Sequence, residues 1–277
     1  GNGNHGTVSG VVLGVDRHGA PGKAYDFDGE GGFIRVPDPQ EQFQDEYTLS
    51  IWVLTRGRGG VVFSKYSYND TQGNGFSFST TTPDGNGGGL SGSTVFASMM
   101  ANVPWEPEDH PKFTLTTNSY SHIVAVYEEG TNKLFIDNVL QSTKSIPHQS
   151  NQLDNPYDIL LGTYFQSQGS QVVADSSNRT FDGLIDEVRI YNRALSAAEV
   201  AALYQMENTP PPNQPPVFAE SNATFNVAEN NASASFVVSA TDPDANTTLV
   251  YSKSGPDAAK FDLNASTGTL TFTNTPD

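Results

Sequence analysis

The stretch Phe181-Asp182-Gly183-Leu184-Ile185-Asp186-Glu187-Val188-Arg189-Ile190-Tyr191-Asn192-Arg193-Ala194-Leu195-Ser196 sets the reading of the whole chain. Asp186 and Glu187 are adjacent, so a regular strand sends them to opposite faces, and Glu187 reaches Arg189 two residues on. Carboxylates split in this way serve the strand rather than acid–base chemistry. A helix begins where the stretch ends. Ser196 is its cap, Glu199 three residues on completes a capping box, and Leu195 with Val200 fits a hydrophobic staple, which predicts a helix over residues 197–206.

Upstream, the pattern is that of strands. Tyr47, Leu49, Ile51 and Val53 share one face, and Thr48, Ser50, Trp52 and Leu54 share the other. Residues 122–127 are apolar at nearly every position, as in a strand buried on both faces, and residues 134–137 join 139–141 through a tight Asp137-Asn138 turn. Many short strands separated by Gly, Asn and Asp imply an all-β sandwich. Long Gly- and Asn-rich loops intervene at residues 66–75, 80–94, 101–112 and 166–180, and loops of that length often carry binding function.

Downstream, residues 207–216 hold five prolines, which stiffen the chain and prevent helix or ladder pairing. The expected division is a domain at 1–207, a linker at 208–216 and a second domain at 217–277. The chain carries 31 acidic residues against 14 Lys plus Arg, a net charge of −17, and no cysteine. Both sides of the linker are acidic. Nucleic acid and anionic membrane surfaces are excluded as partners, because neutralising phosphate needs clustered cations. Disulfides, zinc–thiolate clusters and thiol nucleophiles are excluded with cysteine. No stretch approaches the roughly 18 apolar residues of a membrane-spanning helix. Both ends are expected to be cut from a longer chain.

The run from Phe181 to Ser196 with its capped helix resembles the closing strand and helix of bacterial laminin-G-like domains of the concanavalin A-like superfamily. Residues 1–7 (GNGNHGT), 24–38 (AYDFDGEGGFIRVPD) and 48–53 (TLSIWV) agree with that family in order. The resemblance covers residues 1–206 and implies a two-sheet jelly roll with one short C-terminal helix. Residues 215–277 resemble a bacterial cadherin-like repeat, an Ig-like β-sandwich that is partial here, through PPVF at 215–218, VAEN at 227–230, ATDPDAN at 240–246 and FDLN at 261–264 followed by TGTL at 267–270.

Calcium is the chemistry these residues suit best, since it takes about 6–8 hard oxygen ligands and needs no sulfur. The laminin-G resemblance implies a calcium ion held by Asp28 and Asp186, with Asp26 and Glu30 as weaker candidates. In the second domain Asp242 and Asp244 stand at i and i+2, on one side of an extended segment, where they repel unless a cation lies between them. The cadherin resemblance implies calcium there, shared by Asn246 and the linker around Asn213, with Glu229 facing a flanking repeat of the same chain. Loop aromatics offer a second chemistry, because sugar rings stack on exposed ring faces. Trp105, between two prolines and beside three acids, leads Tyr66, Tyr68, Tyr164 and Phe165 as a ligand-binding candidate. The β-glucan hydrolases of the superfamily place two glutamates and an aspartate on alternate residues of one strand, a triad this chain lacks. No nucleophile elbow, His-Glu-x-x-His or phosphate loop replaces it.

The expected protein is a non-catalytic, calcium-dependent binding module of a large secreted or cell-surface bacterial protein. Its ligand is expected to be a glycan, with a peptide or protein as rival. A calcium-rigidified adhesin spacer and, more remotely, a divergent glycosidase are the alternatives.

Overall fold

The computed structural model describes residues 5–37, 46–57, 60–65, 76–81, 94–98, 112–145, 157–166, 171–172, 180–231, 233–244 and 247–275. The chain divides into two units, Gly1–Thr209 and Pro210–Asp277. Along the first run β1 (Thr7–Ser9), β2 (Val12–Val15), β3 (Pro21–Asp28), β4 (Phe33–Val36), β5 (Glu46–Thr55), β6 (Gly60–Lys65), β7 (Phe76–Thr81) and β8 (Thr94–Ser98). They are followed by β9 (Lys112–Thr114), β10 (Tyr120–Glu128), β11 (Thr131–Ile136), β12 (Val139–Ser145), β13 (Ile159–Leu161), β14 (Phe165–Gln166), β15 (Gln171–Val172), β16 (Asp182–Tyr191) and helix α1 (Ala197–Asn208).

Two seven-stranded antiparallel sheets result, a first in the order β1-β4-β13-β6-β7-β8-β9 and a second in the order β12-β11-β10-β5-β16-β3-β2. The alternation read in β5 holds: Tyr47, Leu49, Ile51 and Val53 enter the core between the sheets, against Phe63, Phe78, Ile159 and Leu161 of the first sheet. β10 is covered on both faces, as its apolar run requires. Ile123 and Ala125 face that core, while Val124 and Val126 lie under α1 with Leu195, Val200 and Leu203. The Asp137-Asn138 turn adopts positive φ at both residues (48° and 65°), the backbone of a type I′ hairpin. Helix α1 carries the expected capping box, with the Glu199 N–H donating to Ser196 Oγ and the Ser196 N–H to Glu199 Oε2, and it runs on to Asn208.

β16 departs from a regular strand. Its register on β5 shifts between Asp186 and Arg189, and Glu187 sits at φ 47° as the extra residue of a β-bulge. Ile185 and, past the bulge, Val188 and Ile190 face the core, so Asp186 and Arg189 both emerge on the outer face of the second sheet. Gly183 is required by close packing, because a Cβ there would collide with the Leu54 carbonyl oxygen and the Phe181 ring.

In the second unit β17 (Val217–Phe218) pairs with β19 (Ala240–Thr241), and β18 (Ser235–Val237) and β20 (Phe261–Asn264) flank β21 (Thr269–Phe272). Phe225, Phe236, Phe272 and Phe261 form a row of ring contacts at 4.4, 6.1 and 5.0 Å. Among the described residues of this unit no apolar side chain is fully buried. No described helix is long and apolar enough to cross a membrane.

Candidate functional site

Three places in the first unit gather polar or aromatic side chains, and the most tightly built lies under α1. Glu207, in the helix's last turn, is 2 % exposed. Its Oε2 accepts from Trp52 Nε1 at 2.7 Å and lies 3.4 Å from His122 Nε2, and its Oε1 accepts from Arg189 Nε. Its backbone carbonyl accepts from Arg17 Nε at 2.7 Å and lies 3.0 Å from His18 Nε2. The rings of Trp52, His122 and Tyr204 touch one another, with centres 4.9 Å (Trp52–His122), 5.7 Å (Trp52–Tyr204) and 5.7 Å (His122–Tyr204) apart, and the Arg17 guanidinium lies 5.2 Å from the centre of the Trp52 ring. Burial, then the charges of Arg17 and Arg189, push the His122 imidazole down to about 4. Neutral His122 suits a proton on Nε2, which faces Ser50 Oγ at 2.7 Å as well as the Glu207 carboxylate. Its Nδ1 is buried with no hydrogen-bond partner among the described residues.

Asp28 and Asp186 are not brought to one ion. Asp28 pairs in register with Asp182, four residues before Asp186 on β16, a separation of about 13 Å at ~3.3 Å per strand residue. Asp186 instead binds the Arg17 guanidinium at 2.6 Å, and burial, outweighing that bond, pushes its carboxyl up. Beside Asp28, the Arg56 guanidinium donates to Asp26 Oδ1 (2.7 Å), Asp182 Oδ1 (3.1 Å) and the Phe27 carbonyl (3.0 Å). Arginines thus supply the positive charge at both places. Asp28 is exposed, and its Oδ1 accepts the Glu30 N–H in a local turn. The residues present do not fit a calcium ion shared by Asp28 and Asp186. Among the described residues no group of three or more His, Asp or Glu side chains is disposed to hold a metal.

The third place is one end of the first sheet. β6 and β7 pair from Lys65↔Phe76, β7 and β8 from Ser77↔Ser98, and β8 and β9 from Phe96↔Lys112. β13 starts at this end, beside Val36 of β4 and close to Lys65, whose Nζ donates to the Tyr157 carbonyl at 2.8 Å. The chain therefore leaves or enters the segments 38–45, 66–75, 99–111 and 146–156 at this one end. Tyr66, Tyr68 and Trp105 belong to these segments, outside the described residues. In the same sheet, Arg35 lies 5.5 Å from the Phe165 ring and pairs with Asp158 at 2.6 Å. Tyr164 and Phe165 are only 4 % and 3 % exposed, so as placed they offer no ring face to a sugar; Phe165 packs with Tyr157 and Leu160.

In the second unit Asp242 Oδ1 accepts the Asp244 N–H at 2.9 Å, and Asp244 Oδ2 accepts the Gln214 N–H at 2.6 Å. The acidic motif and the Asn213-Gln214 segment are thus adjacent. Glu229 is exposed, and Asn246 lies outside the described residues.

Sequence reading missed Glu207, Arg17 and Arg56. A glutamate bordering a proline-rich linker reads as solvated, and nothing local marks the two arginines. The bulge did leave a signal, since the inward residues 185, 188 and 190 break the period of two.

Residues 28–201, more than half of the chain, match a laminin G family model described as the concanavalin A-like lectin/glucanases superfamily. No curated protein gives a significant match. Among solved structures, the binding domain of Paraclostridial Mosquitocidal Protein 1 is similar at 18 % identity and a TM-score of 0.51, covering 75 % of this chain and 48 % of that one. Domain 4 of an extracellular arabinanase from Geobacillus stearothermophilus, in complex with arabinotriose, aligns at 19 % identity and a TM-score of 0.47, covering 72 % of this chain and 88 % of that one. The binding domain of botulinum neurotoxin serotype G aligns at 15 % identity and a TM-score of 0.47, covering 75 % and 48 %. This chain spans about half the length of the toxin binding domains it matches.

Proposed function

The chain belongs to the concanavalin A-like lectin/glucanases superfamily, and from that premise we propose that its first unit is a non-catalytic carbohydrate-binding module of a secreted or cell-surface protein. The observation that carries this reading is topological. One end of the first sheet collects the segments bearing Trp105, Tyr66 and Tyr68, which the sequence scatters over forty residues. Exposed aromatics with amides and carboxylates nearby are the chemistry of sugar recognition. Catalysis is not part of the proposal, because the clustered carboxylates Asp26, Asp182, Asp186 and Glu207 are neutralised by Arg56, Arg17 and Arg189 within the fold.

Calcium belongs to the proposal in the second unit alone. Asp242 and Asp244, with the backbone oxygens around Asn213, supply hard oxygen donors of the kind calcium takes.

The test is a glycan array probed with the full chain, followed by calorimetric titration of the best ligand. We expect saturable binding to one glycan class, weakened tenfold or more by Trp105→Ala. Absence of binding across the array by folded, calcium-loaded protein, or hydrolysis of the bound glycan, would overturn the proposal.

A further inference from the structure

The cage around Glu207 closes on a single residue from four directions. β5 contributes Trp52 and Ser50, β10 contributes His122, β16 contributes Arg189, and the β2–β3 turn contributes Arg17 and His18. One turn earlier on α1, Tyr204 lies over both Trp52 and His122. We propose that this cage is an acid-released latch, holding the last turn of α1 on the second sheet at neutral pH and letting it leave the sheet under acid conditions.

A second proton on His122 meets a closed, polar surround. The groups around His122 are Ser50 and Trp52 on β5, Glu207 and Tyr204 on α1, Asp137 at the β11–β12 turn, Arg17 and Arg189. Asp137 is occupied by the His122 backbone N–H, which its Oδ1 accepts at 2.8 Å. A proton added at Nδ1 would therefore create a third cation beside two arginines, with a buried N–H that lacks an acceptor. The Glu207 carboxylate is shared by Trp52, His122 and Arg189. The second proton on His122 is not accommodated while the helix is seated. Lifting the last turn of α1 removes Tyr204 and Glu207 from His122 and opens the ring to water, where it binds a proton freely. Asp186 stays paired with Arg17 and Asp137 with the β10 backbone, so the sheet beneath is unchanged.

Hydrogen exchange of the full chain, measured at pH 7.5 and 5.0 and corrected for intrinsic rate, tests this directly. Between a folded value of about 4 and an exposed-histidine value of about 6.5, protection of the 197–209 peptide should fall roughly 30-fold by pH 5.0, with β5 and β16 peptides better protected than α1 at both pH values. In His122→Gln the pH response should vanish. Equal protection of α1 at both pH values, or the same fall in His122→Gln, would overturn the latch. Should His122→Gln fail to fold, NMR titration of His122 in the unaltered protein decides. Titration near the exposed value contradicts the proposal, and an imidazole still neutral at pH 5.0 supports it.

Discussion

Glu207 and His122 are the residues on which the outer face of the second sheet turns. Removing the carboxylate with Glu207→Ala strands the Trp52 indole N–H and leaves Arg189 with Glu187 alone of its two carboxylate partners. A loss of roughly 2–4 kcal/mol is expected in urea unfolding followed by tryptophan fluorescence, and an unchanged midpoint would contradict the role given to this side chain. His122 makes stability depend on pH with a definite sign. Its folded value of about 4 lies below the value near 6.5 of an exposed histidine, so the unfolded chain binds the proton more readily. Its contribution is whole above about pH 6.5 and is lost as pH falls towards 4, by about 3 kcal/mol in total. Asp137 and Asp186, whose carboxyls burial pushes up, act in the opposite sense at the acid end. Urea midpoints measured between pH 7.5 and 5 should fall for the unaltered chain and stay flat for His122→Gln.

At the scale of elements, the closing strand and helix carry the fold's most local information. Ser196→Ala removes the cap of α1 and should cost about 1 kcal/mol. Gly183→Ala drives a methyl into the Leu54 carbonyl and the Phe181 ring and should cost roughly 1–3 kcal/mol or prevent folding, read by circular dichroism and thermal melting. The alternation of β5, the doubly apolar β10, the Asp137-Asn138 turn and the capping box were all legible because each depends on residues within a few positions of one another. What was not legible depends on register or on distant partners. Asp28 and Asp186 look equivalent in sequence, and only the β3–β16 pairing shows them four residues apart. Asp186 and Glu187 fall on opposite faces of a regular strand; the bulge instead sends Asp186 and Arg189 out together. Glu207 is buried by residues of β5, β10 and β16 that precede it by up to 155 residues in the chain, so nothing beside it foretells its environment.

At the scale of the molecule, the two units differ in how they are stabilised. The first has a core shared by two seven-stranded sheets, whereas the described residues of the second include no fully buried apolar side chain. Both tryptophans, Trp52 and Trp105, lie in the first unit, so their fluorescence follows the jelly roll alone while calorimetry follows both units. Calcium at ~100 times its dissociation constant should stabilise the second unit by about 2.7 kcal/mol over EDTA and leave the tryptophan-detected transition in place. A calcium shift in that fluorescence transition would return the ion to the jelly roll. Hydrogen exchange of the full chain with and without its best-binding glycan decides where the ligand sits. New protection is expected in peptides covering 66–75 and 99–111, the connections at one end of the first sheet. Protection confined to α1, to the second sheet or to residues 210–277 would contradict that placement.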